Sequence, residues 1–368
     1  MDAVAELVAQ LVAIDSINPD LVPDGAGEAA MGAFVATWLE RAGLDVAVED
    51  VVPGRPNVVA RARGTGGGRS LLLNAHMDVV GVEGMADPFS PRIEGGRLYG
   101  RGGFDMKGGL AAIMVAGARA AGAGLAGDVI VAAVSDEEYA SIGCEALAQQ
   151  VWADAAIVTE PTGLQVCVAH KGFLWLAVET TGVAAHGSRP DLGVDAIAAM
   201  GAVLTGIEGL AAELAAGRAH PLLGPGSVHA SLIEGGRELS SYPDRCVLHL
   251  ERRTIPGETR AQVEGEIRAV AGAASVRTTF ERAPFEVDRD AAVVEAVRRH
   301  AATLLGHDPA VIGHSGWMDA AVLAAAGIPT VVFGPDGAGA HAVEEWVDLA
   351  SVATCADVLE AVARDFCG

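Results

Sequence analysis

An apolar run, Leu71-Leu72-Leu73-Asn74-Ala75, leads into His76-Met77-Asp78, and strand alternation puts His76 and Asp78 on one face. In open α/β sheets ligands gather at the carboxyl ends of strands, so His76 stands where a metal ligand would, with Asp78 able to fix its tautomer. Alone, His76 fits better as a hydrogen-bonded core histidine. A second stretch, Gly100-Arg101-Gly102-Gly103-Phe104-Asp105-Met106-Lys107-Gly108-Gly109, is a glycine-rich loop opening onto a helix. Such a loop can hold an N-cap aspartate or cradle a phosphate, but GxxxxGK[ST] is absent; Asp105 could instead bridge two cations. Ser135-Asp136-Glu137-Glu138 follows the apolar run Val129 to Val134, and acids so close repel one another unless a cation or solvent screens them. An exposed acidic turn explains that stretch equally well in so acidic a chain. Glu160 closes Ile157-Val158-Thr159, and His341 follows the apolar run Val331-Val332-Phe333.

Recurrence at successive strand ends is what makes these stretches a constellation. Together they offer two imidazoles, at least three carboxylates and no thiolate, which suits zinc, cobalt or manganese in a two-metal centre rather than structural zinc. Two cations about 3.5–4 Å apart polarise a carbonyl and make hydroxide available at neutral pH, so hydrolysis is the expected chemistry.

The elements that must carry these residues alternate. Helical patterns at 2–15, 27–42, 108–122 and 143–151 are interleaved with strands at 45–50, 57–62, 70–74, 128–134 and 155–159, an α/β sheet with covered faces. From residue 173 the order becomes strand 173–181, helix 193–216, strands 227–234 and 245–253, helix 259–272 and strand 276–282, a split βαβ arrangement. Helices at 290–305, 316–326 and 348–364 around a strand at 329–333 restore the first style. A small domain at 172–283 is therefore expected inside a larger one formed by 1–171 and 284–368. The chain's 368 residues are ample for two cores.

Composition narrows the partners. With 25 Lys+Arg against 48 Asp+Glu the formal charge is −23, which repels phosphate backbones and anionic lipid headgroups, so nucleic acid and membrane are not expected partners. The apolar stretch Leu110 to Val134 is broken by Arg119, Asp128 and glycines and is not expected to span a bilayer. Five scattered cysteines with no CxxC spacing, and an acidic helical start in place of a basic leader, fit a cytoplasmic protein.

At this level the chain resembles the cytoplasmic dizinc amidohydrolases and peptidases, the family of acetylornithine deacetylase, succinyl-diaminopimelate desuccinylase, aminoacylase and the glutamate carboxypeptidases. The resemblance is carried by the stretches above together with His170-Lys171-Gly172, Ala185-His186-Gly187-Ser188, Arg253 with Pro256-Gly257-Glu258, and Gly334-Pro335 with His341 and Glu345. It implies a zinc-exopeptidase-like mixed sheet sandwiched by helices, with a ferredoxin-like α+β lid through which two copies dimerise. It further implies that Asp105 bridges two divalent metals, zinc first with cobalt or manganese as substitutes, one completed by His76 and Glu160 and the other by Glu138 and His341. Glu137 would be the general base, Asp78 would orient His76, and His186 would reach into the neighbouring subunit's site as an oxyanion donor. The Asp105-Met106 peptide is expected to be cis.

Arg253 has the family's spacing to Pro256 and fits capture of a substrate carboxylate, with a lid salt bridge as its plainer role. Ser240 stands where relatives carry asparagine, which puts one polar substrate contact in question; Trp317 either lines a side-chain pocket or is structural. The expected reaction is hydrolysis of the amide of an N-acyl-L-amino acid, as in acetylornithine deacetylation. A dipeptidase or carboxypeptidase, and more distantly an inactive scaffold relative, are the alternatives.

Overall fold

Leu71–His76 and Val129–Val134 are buried along their whole length and pair in parallel, as continuous apolar strands in a sheet covered on both faces must. In the computed structural model, which describes residues 3–368, they form the centre of a mixed sheet. Its strands run in the order Asp45–Val52, Arg55–Ala62, Val129–Val134, Leu71–His76, Ala155–Val158, Thr330–Val332 and Val166–His170. Val129–Val134, Leu71–His76, Ala155–Val158 and Thr330–Val332 are mutually parallel neighbours, so their carboxyl ends open on one edge. The outer pairs are antiparallel.

Two compact units emerge. The first is the chain up to Val168 with Val287–Ile312 and Met318–Gly368. Among its helices, Gly108–Ala120 and Leu349–Phe366 pack on one another as apolar, largely buried elements. A separate four-stranded sheet, Arg92–Glu94, Arg97–Tyr99, Trp346–Asp348 and Gly337–Ala338, lies in the same unit; its strands are too short to show a period, and they went unrecognised in the sequence.

The second unit is Ala169–Glu286 with Gly313–Trp317. Its four-stranded antiparallel sheet has the order Ser227–Gly235, Arg245–Thr254, Gly172–Thr181, Ser275–Arg282, the ferredoxin-like pattern. Ala196–Ala216 and Arg260–Ala271 cover one face, burying Met200, Val203, Ile207, Val263 and Ile267 against Leu174, Leu176, Val178, Leu248 and Leu250. Asp195 caps the first helix by accepting from Ala198 N at 2.9 Å, and Thr259 with Gln262 forms a capping box on the second.

The structure moves several expected boundaries. The helix expected at 316–326 is only Ala320–Ala325, because Gly313 to Trp317 turn into the second unit, where His314 Nδ1 accepts from Gly316 N at 3.0 Å. The first helix runs Ala3–Val12; residue 2 of the expected 2–15 lies outside the described residues. Among the described residues, the helix long and apolar enough to cross a membrane is Ala196–Ala216, not the stretch 110–134. Its apolar face lies on the second unit's sheet.

Candidate metal centre

Four parallel strand ends deliver the site. The strand Leu71–His76 ends on His76, and Asp78 follows two residues on. His76 Nδ1 donates to the Asp78 carbonyl at 2.9 Å, which fixes the tautomer and aims Nε2 at the acids. The Asp78 carboxylate is further from the ring, at 3.5 Å. It instead accepts the backbone N–H of Glu137 and of Glu138, each at 3.1 Å. Asp78 thus aims His76 mainly through its backbone and holds the acidic turn through its side chain.

From Nε2 of His76, Asp105 Oδ1 is 3.3 Å away, Glu160 Oε1 3.6 Å and Glu137 Oε2 3.9 Å. On the other side of Asp105, His341 Nε2 lies 3.4 Å from Oδ2 and 3.1 Å from Glu138 Oε2. One carboxylate oxygen of Asp105 therefore faces each histidine, the geometry of a bridge. Two sets of ligand atoms, His76 with Glu137 and Glu160, and His76 with Asp105 and Glu138, each converge within 4.8 Å.

Local backbone explains the convergence. Gly109 packs so tightly that a Cβ there would stand 2.2 Å from the Thr159 carbonyl, which is what brings the helix after Asp105 against the strand end bearing Glu160. The Asp105-Met106 bond is cis. Asp136 (φ 70°) and His341 (φ 60°) are non-glycine residues in the left-handed region, strain of the kind stored at functional sites. Glu345, fully buried, accepts from Phe104 N (2.9 Å) and Asp105 N (3.1 Å) on one oxygen and from Gly102 N (3.0 Å) and Arg101 Nη1 (2.7 Å) on the other, clamping the loop that carries Asp105.

The electrostatics are those of a site awaiting positive charge. Burial and the Glu160 charge push the Glu137 carboxyl well up, burial and Asp105 do the same to Glu160, and Glu138 rises to about 7 for the same reasons. Asp105 is driven down despite burial, because His341 and His76 donate to it. His341 is raised to about 10 by Asp105 and Glu138, and His76 stays well up because its acids outweigh burial. Glu138 Oε1 is buried and has no hydrogen-bond partner. A carboxylate oxygen left that way beside two imidazoles and three further acids fits dications, which displace the protons these groups otherwise hold.

Sequence reasoning missed several members. Asn18 Nδ2 donates to Asp78 Oδ2 (2.7 Å) and Asp136 Oδ1 (2.9 Å), and Arg55 pairs with Glu28, Asp20 and Asp136. Asp319, buried, adds negative charge against Glu137 and Glu160. The Asn-Pro turn and lone acids that carry these residues give no local signal.

The remaining sequence candidates belong to the second unit. His186 is exposed, its Nδ1 2.8 Å from Ser188 Oγ. The structure brings it beside Ser240: residues 186 and 241 form a bridge, and Gly187 N donates to the Ser240 carbonyl at 2.6 Å. Ser240 Oγ donates to Glu238 at 2.6 Å. Arg253 makes the plainer contact, an ion pair with Glu251 at 2.7 Å, over the Phe173 ring at 5.1 Å, while Arg252 is wholly buried against Glu258 and Glu266. Trp317 is structural at one edge, donating to the Ala283 carbonyl at 3.0 Å and meeting Phe173 edge-on.

Comparison with known proteins agrees with this architecture. The chain is 30% identical to acetylornithine deacetylase of Proteus mirabilis, over 98% of this chain and 96% of that protein. It is 28% identical to N-formyl-4-amino-5-aminomethyl-2-methylpyrimidine deformylase of Halalkalibacterium halodurans, over 95% and 92%. Its fold matches aminopeptidase PepT of Bacillus cereus with a TM-score of 0.80 at 21% identity, covering 99% of this chain and 98% of that one. It also matches the Bacillus subtilis YXEP protein, described as a dinuclear metal binding peptidase, with a TM-score of 0.73 at 17% identity over 99% and 98%. The profile of peptidase family M20/M25/M40 matches residues 72–365, which span all the strand ends that build the centre, and the chain belongs to that family of metal-dependent hydrolases.

Proposed function

We propose that the protein hydrolyses the amide of a small N-acyl-L-amino acid, an acetylornithine-like substrate first, releasing a carboxylic acid and a free amine. The observation that carries this reading is the two-sided Asp105 carboxylate between His76 and His341, with Glu137, Glu138 and Glu160 around it. Relatives named for deacetylation and for deformylation both remove a small acyl group from nitrogen, which supports amide cleavage over a longer peptide register.

In this reading His76 and Glu160 hold one divalent ion, Glu138 and His341 the other, and Asp105 both, zinc being the first choice for this donor set. Such ions polarise an amide carbonyl and lower the pKa of water. Glu137 takes the proton of the attacking water and delivers it to the departing amine nitrogen. A carboxyl raised by burial and by Glu160 is suited to both halves of that transfer. Arg253, on the sheet face of the second unit away from its two helices and with its side chain a third exposed, is assigned to the substrate carboxylate, and Ser240 to a polar contact beside His186.

Dimerisation through the second unit belongs to the same reading. The edge strand Ser227–Gly235 exposes Leu232 and Ile233, and Ala196–Ala216 exposes Ile197 and Leu204, an apolar edge that a second copy would cover. A cytoplasmic setting is supported by five buried free cysteines. The test is a panel of N-acetyl, N-formyl and N-succinyl amino acids and dipeptides, assayed for amine release with added zinc or cobalt. Turnover of N-acyl amino acids at least tenfold above dipeptides is expected; the reverse order would make the protein a dipeptidase.

A further inference from the structure

The acidic turn that carries Glu137 and Glu138 is held from a segment more than a hundred residues earlier. Asn18 is wholly buried, as are Asp78 and Asp136. Its side-chain amide has two hydrogens, and both are used: one donates to Asp78 Oδ2 at 2.7 Å and the other to Asp136 Oδ1 at 2.9 Å. Its Oδ1 accepts from Asp20 N at 2.9 Å, so the amide cannot flip without facing oxygens with oxygen. The two carboxylates it joins flank the turn. Asp78 accepts the amides of Glu137 and Glu138, and Asp136, in the left-handed region, immediately precedes them.

The backbone of Asn18 is placed with equal care. Asn18 N donates to the Val79 carbonyl at 2.9 Å and Val79 N to the Ser16 carbonyl at 3.1 Å, forming a parallel bridge between Ile17 and Val79. The segment therefore rides on the same chain that carries His76 and Asp78. Arg55 donates to the same Asp136 oxygen, Oδ1, at 3.0 Å and ties it to Glu28, which itself accepts Asp136 N at 3.1 Å. Asp78 holds the turn directly through the Glu137 and Glu138 amides, and Asn18 adds the side chain that joins the Asp78 and Asp136 carboxylates to one another.

We propose that Asn18 is a positioning residue that holds the Ser135–Glu138 turn in register with the His76 strand end, and so sets where the Glu137 and Glu138 carboxylates stand. The proposal rests on the assignment of Glu138 as a metal ligand and Glu137 as the base. Neutral donation to two buried carboxylates is what the position requires: aspartate would add a third negative charge, and an apolar residue would remove the donor that Asp78 and Asp136 share, leaving Asp78 with the Glu137 and Glu138 amides and Asp136 with Arg55 and Ile142 N.

The test is cobalt(II) titration by calorimetry and visible absorption on the metal-stripped protein, with kcat and KM measured alongside. Asn18→Leu keeps volume but removes both donors, and Asn18→Ser keeps one. Val297→Ala, which truncates a fully buried helix position in the same unit, serves as a control for destabilisation alone, its melting temperature measured beside those of the Asn18 variants. Cobalt affinity should fall about 10- to 100-fold in Asn18→Leu, the usual effect of losing a hydrogen bond behind a ligand, with an altered absorption band and a kcat loss exceeding any KM change. Asn18→Ser should fall between it and wild type, and it decides the matter should Asn18→Leu not fold. Cobalt affinity and spectrum in the Asn18 variants indistinguishable from those of Val297→Ala would overturn the proposal. Wild-type protein that binds no cobalt, or a Glu138→Gln variant that binds it like wild type, would instead overturn the site assignment beneath it.

Discussion

Glu137 and Glu138 are adjacent and held by the same Asp78 carboxylate, yet they face different atoms. Glu138 Oε2 meets His341 at 3.1 Å, whereas the nearest imidazole nitrogen to Glu137 is 3.9 Å away on His76. Glu137→Gln should therefore lower kcat by about 10²- to 10⁴-fold while metal content, measured by elemental analysis, stays near wild type. Glu138→Gln should lose metal as well as activity. Metal loss in the first variant and retention in the second would exchange the two roles, an outcome the convergence of Glu137 with His76 and Glu160 makes worth measuring.

At the scale of elements, close approach and capping decide what each helix tolerates. In an ordinary helix Gly→Ala gains about 1 kcal/mol, but at position 109 the added Cβ would lie 2.2 Å from the Thr159 carbonyl. Overpacking of about 1–3 kcal/mol outweighs that gain, so Gly109→Ala should lower the melting temperature and weaken metal binding through Glu160. The helix Arg260–Ala271 has a different sensitivity. Glu264 accepts from Thr278, Arg260 and Arg268 at 2.7–2.8 Å, which holds its carboxyl down at about 2. A depressed folded-state pKa gives stability that is complete above the ordinary value near 4.5 and is lost as pH falls through about 2. Melting temperature followed across that window should fall less steeply for Glu264→Gln than for wild type; equal slopes would mean that the cluster is too well solvated to matter.

At the scale of the whole molecule, the second unit leaves an apolar edge strand and helix exposed on an otherwise acidic chain, the face assigned to the proposed dimer. Leu232→Lys with Ile233→Lys should convert a dimer into monomers by light scattering, placing charge where two edges would meet. In the proposed dimer, His186 would carry a catalytic consequence. His186→Ala should keep its metals and lose most of its kcat, since one oxyanion donor contributes about 2.7–4 kcal/mol. Mixing it with Glu137→Gln subunits should restore part of the activity, because one site in each mixed dimer has both groups. Absence of recovery with proven subunit exchange would confine His186 to its own chain or remove it from the reaction.

Residue types at strand ends were enough to gather His76, Asp105, Glu138, Glu160 and His341 as candidates, because each lies in a glycine-rich loop or after an apolar run whose burial a sequence displays, while their expected division between two metals rests on the family resemblance. Alternating and periodic patterns likewise determined a covered α/β sheet and the split βαβ insertion, since both depend on which residues must leave water, whereas the mixed strand directions were an implication of the resemblance. Strands as short as Arg97–Tyr99, and the return of Gly313–Trp317 to the second unit, were decided by pairing partners far away in sequence. The same holds for the supports of the centre. Nothing local marks Asn18 as a donor to two carboxylates, Arg55 as the cation of a buried acid cluster or Glu345 as the clamp on the Asp105 loop. Each gains its role from a neighbour that only the folded chain supplies, because a buried polar side chain is defined by the partner that satisfies it.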